Sequence, residues 1–408
     1  MIGTIPQSAR VLVKAPGTAF TNDWPYGRTR YELLAELGAE LFASMSRRDQ
    51  RTKGMTYLRG LLEADGRKSI RSIAALYGDD ATEQSLHHFI ASSTWDWAPV
   101  RRALGQYVER VARPEAYVVH PVVIPKAGDT SVGVERRFVP MLGQVVNSQQ
   151  AVAVWGAAPQ WSSPLNWRLR LPPRWLADRS LRRQASIPDT EVPENLGQSL
   201  VGAYQDLIKK SRLPVRPVVM DARETDVAAV VERLRAADTP MLLRVDGTLR
   251  LTAEDAAFPR RGVSMTAQQI MSTIWHIRRP GGEPADGLLP HSPVATVRAA
   301  LSPTAHPGHR PGQPEGPLLL MGVAERGHWP VELWLTDLTS LSVHELLRLT
   351  ALARRAERDL TEIADGVGIR DFSGRSFTGW HRHMTLASAA HVVAMLSERC
   401  GPLVGAAF

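Results

Sequence analysis

AYVVHPVVIPKAG, residues 116–128, decides how the chain is read. The run is apolar at nearly every position and ends in turn formers. It predicts a strand buried on both faces, as in the middle of an α/β sheet. One pair breaks it: His120 followed by Pro121. Proline removes a ladder N–H and suits a strand edge or end, and an imidazole inside a dry sheet needs a reason.

Working outward, QVVNSQQAVAVWGAA, WRLRL, RPVVMDA and PMLLRVDG are further β-rich runs, with helix-like segments at 195–211 and 225–237. Alternating strands and helices predict an α/β core with its active edge at strand ends. Upstream, residues 31–112 read as helical, and SRRDQRTKGMTYLRGLLEADGRKSIRSI supplies dense basic punctuation there. Asp80 is expected to cap the segment containing Glu83. Nine prolines between Arg278 and Pro317 mark an insertion or loop. PVELWLTDL restores a strand, 342–365 reads as an amphipathic helix, and GRSFTGWHRH is a basic, aromatic turn leading into an apolar helix. The expected layout is an arm (1–30), a helical, basic, DNA-binding domain (31–114), a core (115–277 and 318–398) split by the 278–317 insertion, and a tail (399–408).

Of 408 residues, 44% are hydrophobic and 22% charged, which excludes wholesale disorder. No apolar run approaches the roughly 18 residues that span a bilayer, so no membrane partner is expected. MIGTIPQSARVLVKAPG lacks a secretory apolar region, and the single cysteine, Cys400, fits a reducing compartment. The expectation is a cytoplasmic, nucleoid-associated protein. The net charge of +8 is almost all arginine, with lysine only at 14, 53, 68, 126, 209 and 210. Arginine's planar fork pairs two phosphate oxygens at once, so double-stranded DNA is the expected partner. A merely basic surface is the alternative.

Two acids stand out. Asp221 ends the apolar run RPVVM and should sit at the mouth of a sheet, or else simply cap the next helix. Glu357 lies at the edge of the stripe formed by 346, 349, 353, 356, 360 and 363, where a carboxylate needs a cation, metal or hydrogen bond. Arg354 and Arg358 are the plain compensators. As a pair the acids suggest hard-oxygen ligands for Mg²⁺ or Mn²⁺ in phosphoryl chemistry, which ordinarily wants a third acid. Asp129 and Glu115 are both misplaced for that role. There is no Walker A loop, GxGxxG, CxxC pair or HExxH. His87-His88 and His381-x-His383 have the wrong helical spacing to share a face.

The ordered set RRDQR, YLRGLL, GRKSI, HHFIASSTWD, IPKAGDTSVGV, SSPLNWRLRLPPRWLAD, IPDTEVPENLG, VVMDA and GIRDFSGRSFTGWHRHMTL resembles the DDE-superfamily insertion-sequence transposases. The likeness is to the IS-seven-hundred-one group, related to the IS-four group, and runs from about Tyr31 to Leu396. It implies an α/β fold with an RNase-H-like mixed sheet flanked by helices and divalent metal for strand cleavage and transfer; a homodimer is a separate expectation. Carried over residue by residue, the second acid falls on Asp221 and the glutamate on Glu357. The first acid's place holds His120 and Pro121. In the family's Tyr-Arg-Glu-Lys signature, Thr350, Ala353 and Ala364 replace three members, and ARETD replaces the turn after Asp221.

A neutral histidine brings one nitrogen and no negative charge, so it does not bridge two Mg²⁺ ions. The first expectation is therefore a transposase-derived DNA-binding protein with lost or strongly reduced cleavage, retained as a regulator. Arg47, Arg48, Arg51, Lys53, Arg59, Lys68, Arg71, Arg375, Trp380, His381 and Arg382 are its expected DNA contacts. A second is a nuclease with His120, Asp221 and Glu357 catalytic and the two acids on metal. A third is small-molecule chemistry with His120 as a general base titrating near neutrality.

Overall fold

The computed structural model describes residues 28–78, 80–255, 258, 262–277, 279–280, 293–302, 316–324 and 332–399. Nearly all of the expected arm and tail lies outside the described residues, as do 281–292 and 303–315 of the insertion.

Five helices come first: α1 (Arg30–Leu41), α2 (Arg48–Glu63), α3 (Ile70–Ala75), α4 (Asp80–Ala91) and α5 (Trp97–Val111). Thr29 and Glu32 close a capping box at the start of α1. Leu33, Leu37 and Leu41 then form its buried stripe. Asp80, expected as a cap, is the first residue of α4.

The quoted stretch is β1 (Ala116–Pro125), followed by β2 (Glu135–Val139), β3 (Gln144–Ala158) and β4 (Trp161–Arg170). Helices α6 (Pro173–Ala177), α7 (Arg179–Gln184) and α8 (Leu196–Ser211) lead to β5 (Val218–Asp221), α9 (Val227–Arg235) and β6 (Met241–Val245). β1 runs antiparallel to β3 and β3 to β4, whereas β5 is parallel to both β1 and β6. The order β4-β3-β1-β5-β6 with these directions is the RNase-H-like arrangement.

β6 does not end the sheet. β7 (Arg250–Ala253), β8 (Ser264–Thr266), α10 (Ala267–Ile274), β9 (Arg279–Pro280), β10 (Pro293–Leu301), β11 (Leu318–Val323) and β12 (Glu332–Thr336) follow. β12 joins β6 antiparallel, and the sheet continues through β11, β10, β7 and β8. The expectation of a loop across 278–317 is thus corrected over Pro293–Leu301, a nine-residue strand with neighbours on both sides. The prolines fall outside this strand or at its first position, where a missing N–H costs nothing. Between them, VATVRAAL is free to pair.

α8 packs on β1, β3 and β4 from one side, where Tyr117 meets Tyr204 at 6.0 Å between ring centroids. α11 (Val343–Asp359) crosses β1, β3, β4 and β5, ending in a π-helical turn, Leu360–Ala364. α12 (Phe377–Arg399) lies between the sheet and helices α1, α2, α4 and α5, buried all round from Trp380 to Leu396. A helix apolar on every side has to be enclosed, and this one joins the helical front to the core.

Candidate active site

His120, Asp221 and Arg244 lie side by side on three central strands. Val119 pairs with Met220, so the next residues along two parallel strands, His120 and Asp221, are neighbours facing the same way. Asp221 in turn pairs with Arg244. α11 passes over this row, and Glu357 interacts electrostatically with Asp221, Arg223 and Arg244. The three residues singled out from sequence are therefore brought to one region, at the carboxyl ends of the parallel strands.

Their chemistry differs sharply. His120 is 8% exposed, and neither ring nitrogen has a hydrogen-bond partner. Its ring stacks on Trp155 at 6.0 Å, and Trp155 meets the fully buried His391 at 5.4 Å. Burial lowers the His120 pKa to about 4, against the pull of Asp221 and with the push of Arg370. The imidazole is neutral at physiological pH, which corrects the expectation of a base titrating near neutrality.

Asp221 is held by its neighbour in the turn. Arg223 donates from Nε to Oδ1 at 2.9 Å and from Nη2 to Oδ2 at 2.6 Å, and its backbone N–H reaches Oδ1 at 3.2 Å. Burial raises the Asp221 pKa, but the Arg223 bonds and charge outweigh it, and the net shift is downward. Glu357 makes no such bonds. Crowding by protein around its carboxyl raises its pKa and Arg244 draws it down, while Asp221 and Glu332 add to the rise. Beside it, Glu332 accepts Arg244 at 3.1 Å and Arg354 at 3.0 Å.

A family model of DDE superfamily endonucleases matches residues 40–266, more than half of the chain. The chain belongs to the DDE superfamily. Over 108 residues this DDE-superfamily protein is 30% identical to the probable transposase for insertion sequence element IS701 of Microchaete diplosiphon. That match covers 26% of this chain and only 28% of the relative. The piggyBac transposase, solved as a synaptic complex with hairpin DNA, overlays 90% of this chain and 73% of its own at 10% identity, with a TM-score of 0.40. That distance transfers no residue.

DDE-superfamily nucleases generally work with divalent metal, and the donors present here do not fit a metal pair. Among the described residues, no group of three or more His, Cys, Asp or Glu is placed to hold an ion. Of the two carboxylates, Asp221 has both oxygens bound by a guanidinium, and the third place is a dry, uncharged imidazole. Sequence reading missed Arg223 and Arg244. The signal for Arg223 was in ARETD, since an arginine two residues beyond a strand-end acid folds back onto it. For Arg244 it was the lone charge in an otherwise apolar strand.

The expected DNA contacts divide in two. Arg47, Arg48, Arg51, Arg59, Arg71 and Arg375 are exposed and Lys53 half-exposed, though Arg47 and Lys53 share Asp49 and Arg59 pairs with Glu63. Lys68, Trp380, His381 and Arg382 are buried, and their assignment to DNA is corrected. Lys68 is bonded to the carbonyl of Ala64. His381 stacks on Trp97 at 4.3 Å. Arg382 donates to the carbonyls of Ile90, Ser93 and Trp95 and lies over the Trp95 ring at 5.1 Å. The basic tail motif is thus a staple between α12 and the helical front.

Proposed function

We propose that the protein is a transposase-derived, double-stranded-DNA-binding member of its superfamily in which metal-dependent strand cleavage and transfer are lost or strongly reduced, and that it acts as a regulator, paired with a second copy. The observation that carries this reading is the Arg223 clasp on Asp221 beside a buried, neutral His120. Two-metal cleavage needs carboxylates from several elements converging on ions roughly 4 Å apart. Net charge of +8 and the exposed arginines of α2, α3 and the 375 turn support the binding half. Each phosphate neutralised contributes about −0.9 to the slope of log K against log salt. Arg48, Arg71 and Arg375, which have no ion-pair partner among the described residues, are the first to test.

One observation favours the nuclease reading. The Glu357 carboxylate accepts no hydrogen bond among the described residues, and it is close enough to Asp221 to feel its charge. Plasmid nicking and duplex binding, measured on the same preparation with Mg²⁺ and with Mn²⁺, decide between the two. Steeply salt-dependent binding without nicking above an Asp221→Ala control supports the proposal. Nicking that this substitution abolishes refutes the loss of cleavage, and absent binding near 50 mM salt refutes the DNA partner.

A further inference from the structure

We infer that a depression at the root of the β2–β3 ribbon, on the sheet face opposite Glu357, binds a single phosphate group. It encloses about 110 Å³, far above the roughly 15 Å³ one water needs, and is lined by Glu135, Arg137, Ser148, Gln150, Arg170 and Glu194, among others.

Three donors there lack partners. Ser148 is 1% exposed and its Oγ makes no hydrogen bond. Arg170 spends Nη1 on Gln150 Oε1 at 2.5 Å, but its buried Nε bonds nothing. Arg137, half-buried, has no hydrogen bond or ion pair among the described residues. A buried donor without an acceptor costs about 1–3 kcal/mol, so two around one hollow, with the unpaired Arg137 guanidinium beside them, call for a shared acceptor. The two guanidiniums also repel each other, and burial together with Arg137 lowers the Arg170 pKa. A tetrahedral oxyanion answers all of this, since it accepts several hydrogen bonds and brings the missing negative charge.

The lining carboxylates leave room for it. Glu194 is occupied by Arg168, at 2.8 and 2.5 Å, and by Ser199 at 3.0 Å. Glu135 is exposed on the edge strand, where solvent screens its charge. Among the lining residues, Arg137 and Arg170 face one unpaired carboxylate, Glu135, while Glu224 acts on Arg170 from the turn after Asp221.

Registry fixes where the hollow lies. Ser148 pairs with Pro125 of β1 and with Glu135 of β2. Pro125 is five residues beyond His120, about 17 Å along the strand. The hollow therefore sits off the same end of the sheet as Asp221, near Glu224 of the turn after it. A phosphate of a bound nucleic acid strand and a free phosphate share the chemistry, and the experiment separates them.

Equilibrium dialysis of the full chain against radiolabelled inorganic phosphate, in Tris-chloride at fixed ionic strength, should show one saturable equivalent. Arg137→Gln and Ser148→Ala should each weaken it about tenfold or more, with circular dichroism unchanged. For a DNA phosphate, Arg137→Gln also lowers the salt slope of duplex binding by about one. For a free phosphate, that slope stays put while the dialysis result holds. Absence of saturable binding together with an unchanged slope, or binding that both variants retain, overturns the site.

Discussion

Acid should unfold this protein well before its carboxylates titrate, through histidines whose burial outweighs any carboxylate nearby. His120 and His383 have pKa values lowered to about 4 and His391 to about 3, all by burial first. In the unfolded chain each returns to about 6.5. A base held below its unfolded pKa adds stability at high pH and loses it as pH falls through the window from 6.5 to its folded value. At pH 5 each of the three costs about 2 kcal/mol relative to pH 7 and above, or about 6 kcal/mol together, against a total stability of roughly 5–15 kcal/mol. Glu357 and Asp337, whose pKa values are raised by burial, push the other way and trim the loss. The perturbation is His391→Leu, because His391 has no hydrogen-bond partner and touches the edge of Trp155. Urea unfolding followed by circular dichroism at pH 7 and pH 5 should show the variant close to wild type at pH 7. At pH 5 it should be more stable by about 2 kcal/mol. An equal pH 7-to-5 loss in both proteins, or an NMR titration of His120 centred near 6.5, would refute the reasoning.

His120→Asp combined with Arg223→Gln should create Mn²⁺ binding, seen as loss of the free-ion electron paramagnetic resonance signal, where the wild type leaves the signal intact. Equal uptake by both would show that the clasp does not block the carboxylates. Arg382→Ala should destabilise the fold by about 3 kcal/mol or more, since it strips donors from buried carbonyls. Arg48→Ala should leave the melting temperature alone while weakening duplex DNA, and the reverse pattern would put the DNA surface elsewhere. Gly368→Ala should cost about 1–3 kcal/mol, because Gly368 has φ +76° and an added Cβ would stand 2.5 Å from Lys68 Cβ. A variant as stable as wild type by urea unfolding would show that this turn relaxes freely.

The core was legible because strand burial writes itself into composition. AYVVHPVVIP and QVVNSQQAVAVWGAA are β1 and β3 as observed, and Asp226 and Ser342 cap the helices foreseen near 225 and 342. β10 was not, because its apolar run is shorter than the proline-rich stretches around it. The site was half legible: residue types placed Asp221 at a sheet mouth and Glu357 at the edge of a buried helix stripe, but partner choice is a tertiary property. GRSFTGWHRH shows the limit most plainly. Basic and aromatic residues at a turn look like a nucleic-acid surface, yet Arg382 and His381 here serve carbonyls and rings inside the protein.

Charge balance gives the exchange of metal for arginine its physical sense. Asp221, Glu332 and Glu357 carry three negative charges into one region, and Arg223, Arg244 and Arg354 bring three positive charges to the same place. Carboxylates that await two divalent ions have to repel one another until the ions arrive, and that repulsion is part of what makes such ions bind. Here the repulsion is already answered within the chain. An ion reaching Asp221 would have to displace a bidentate guanidinium; the freed Arg223 is exposed and turns to solvent, so the cost is that of a screened ion pair, about 1 kcal/mol. With an imidazole where a third carboxylate would repay that cost, the arrangement is most stable as it stands. Restoring the acid at 120 alone is therefore expected to be insufficient unless Arg223 is released as well.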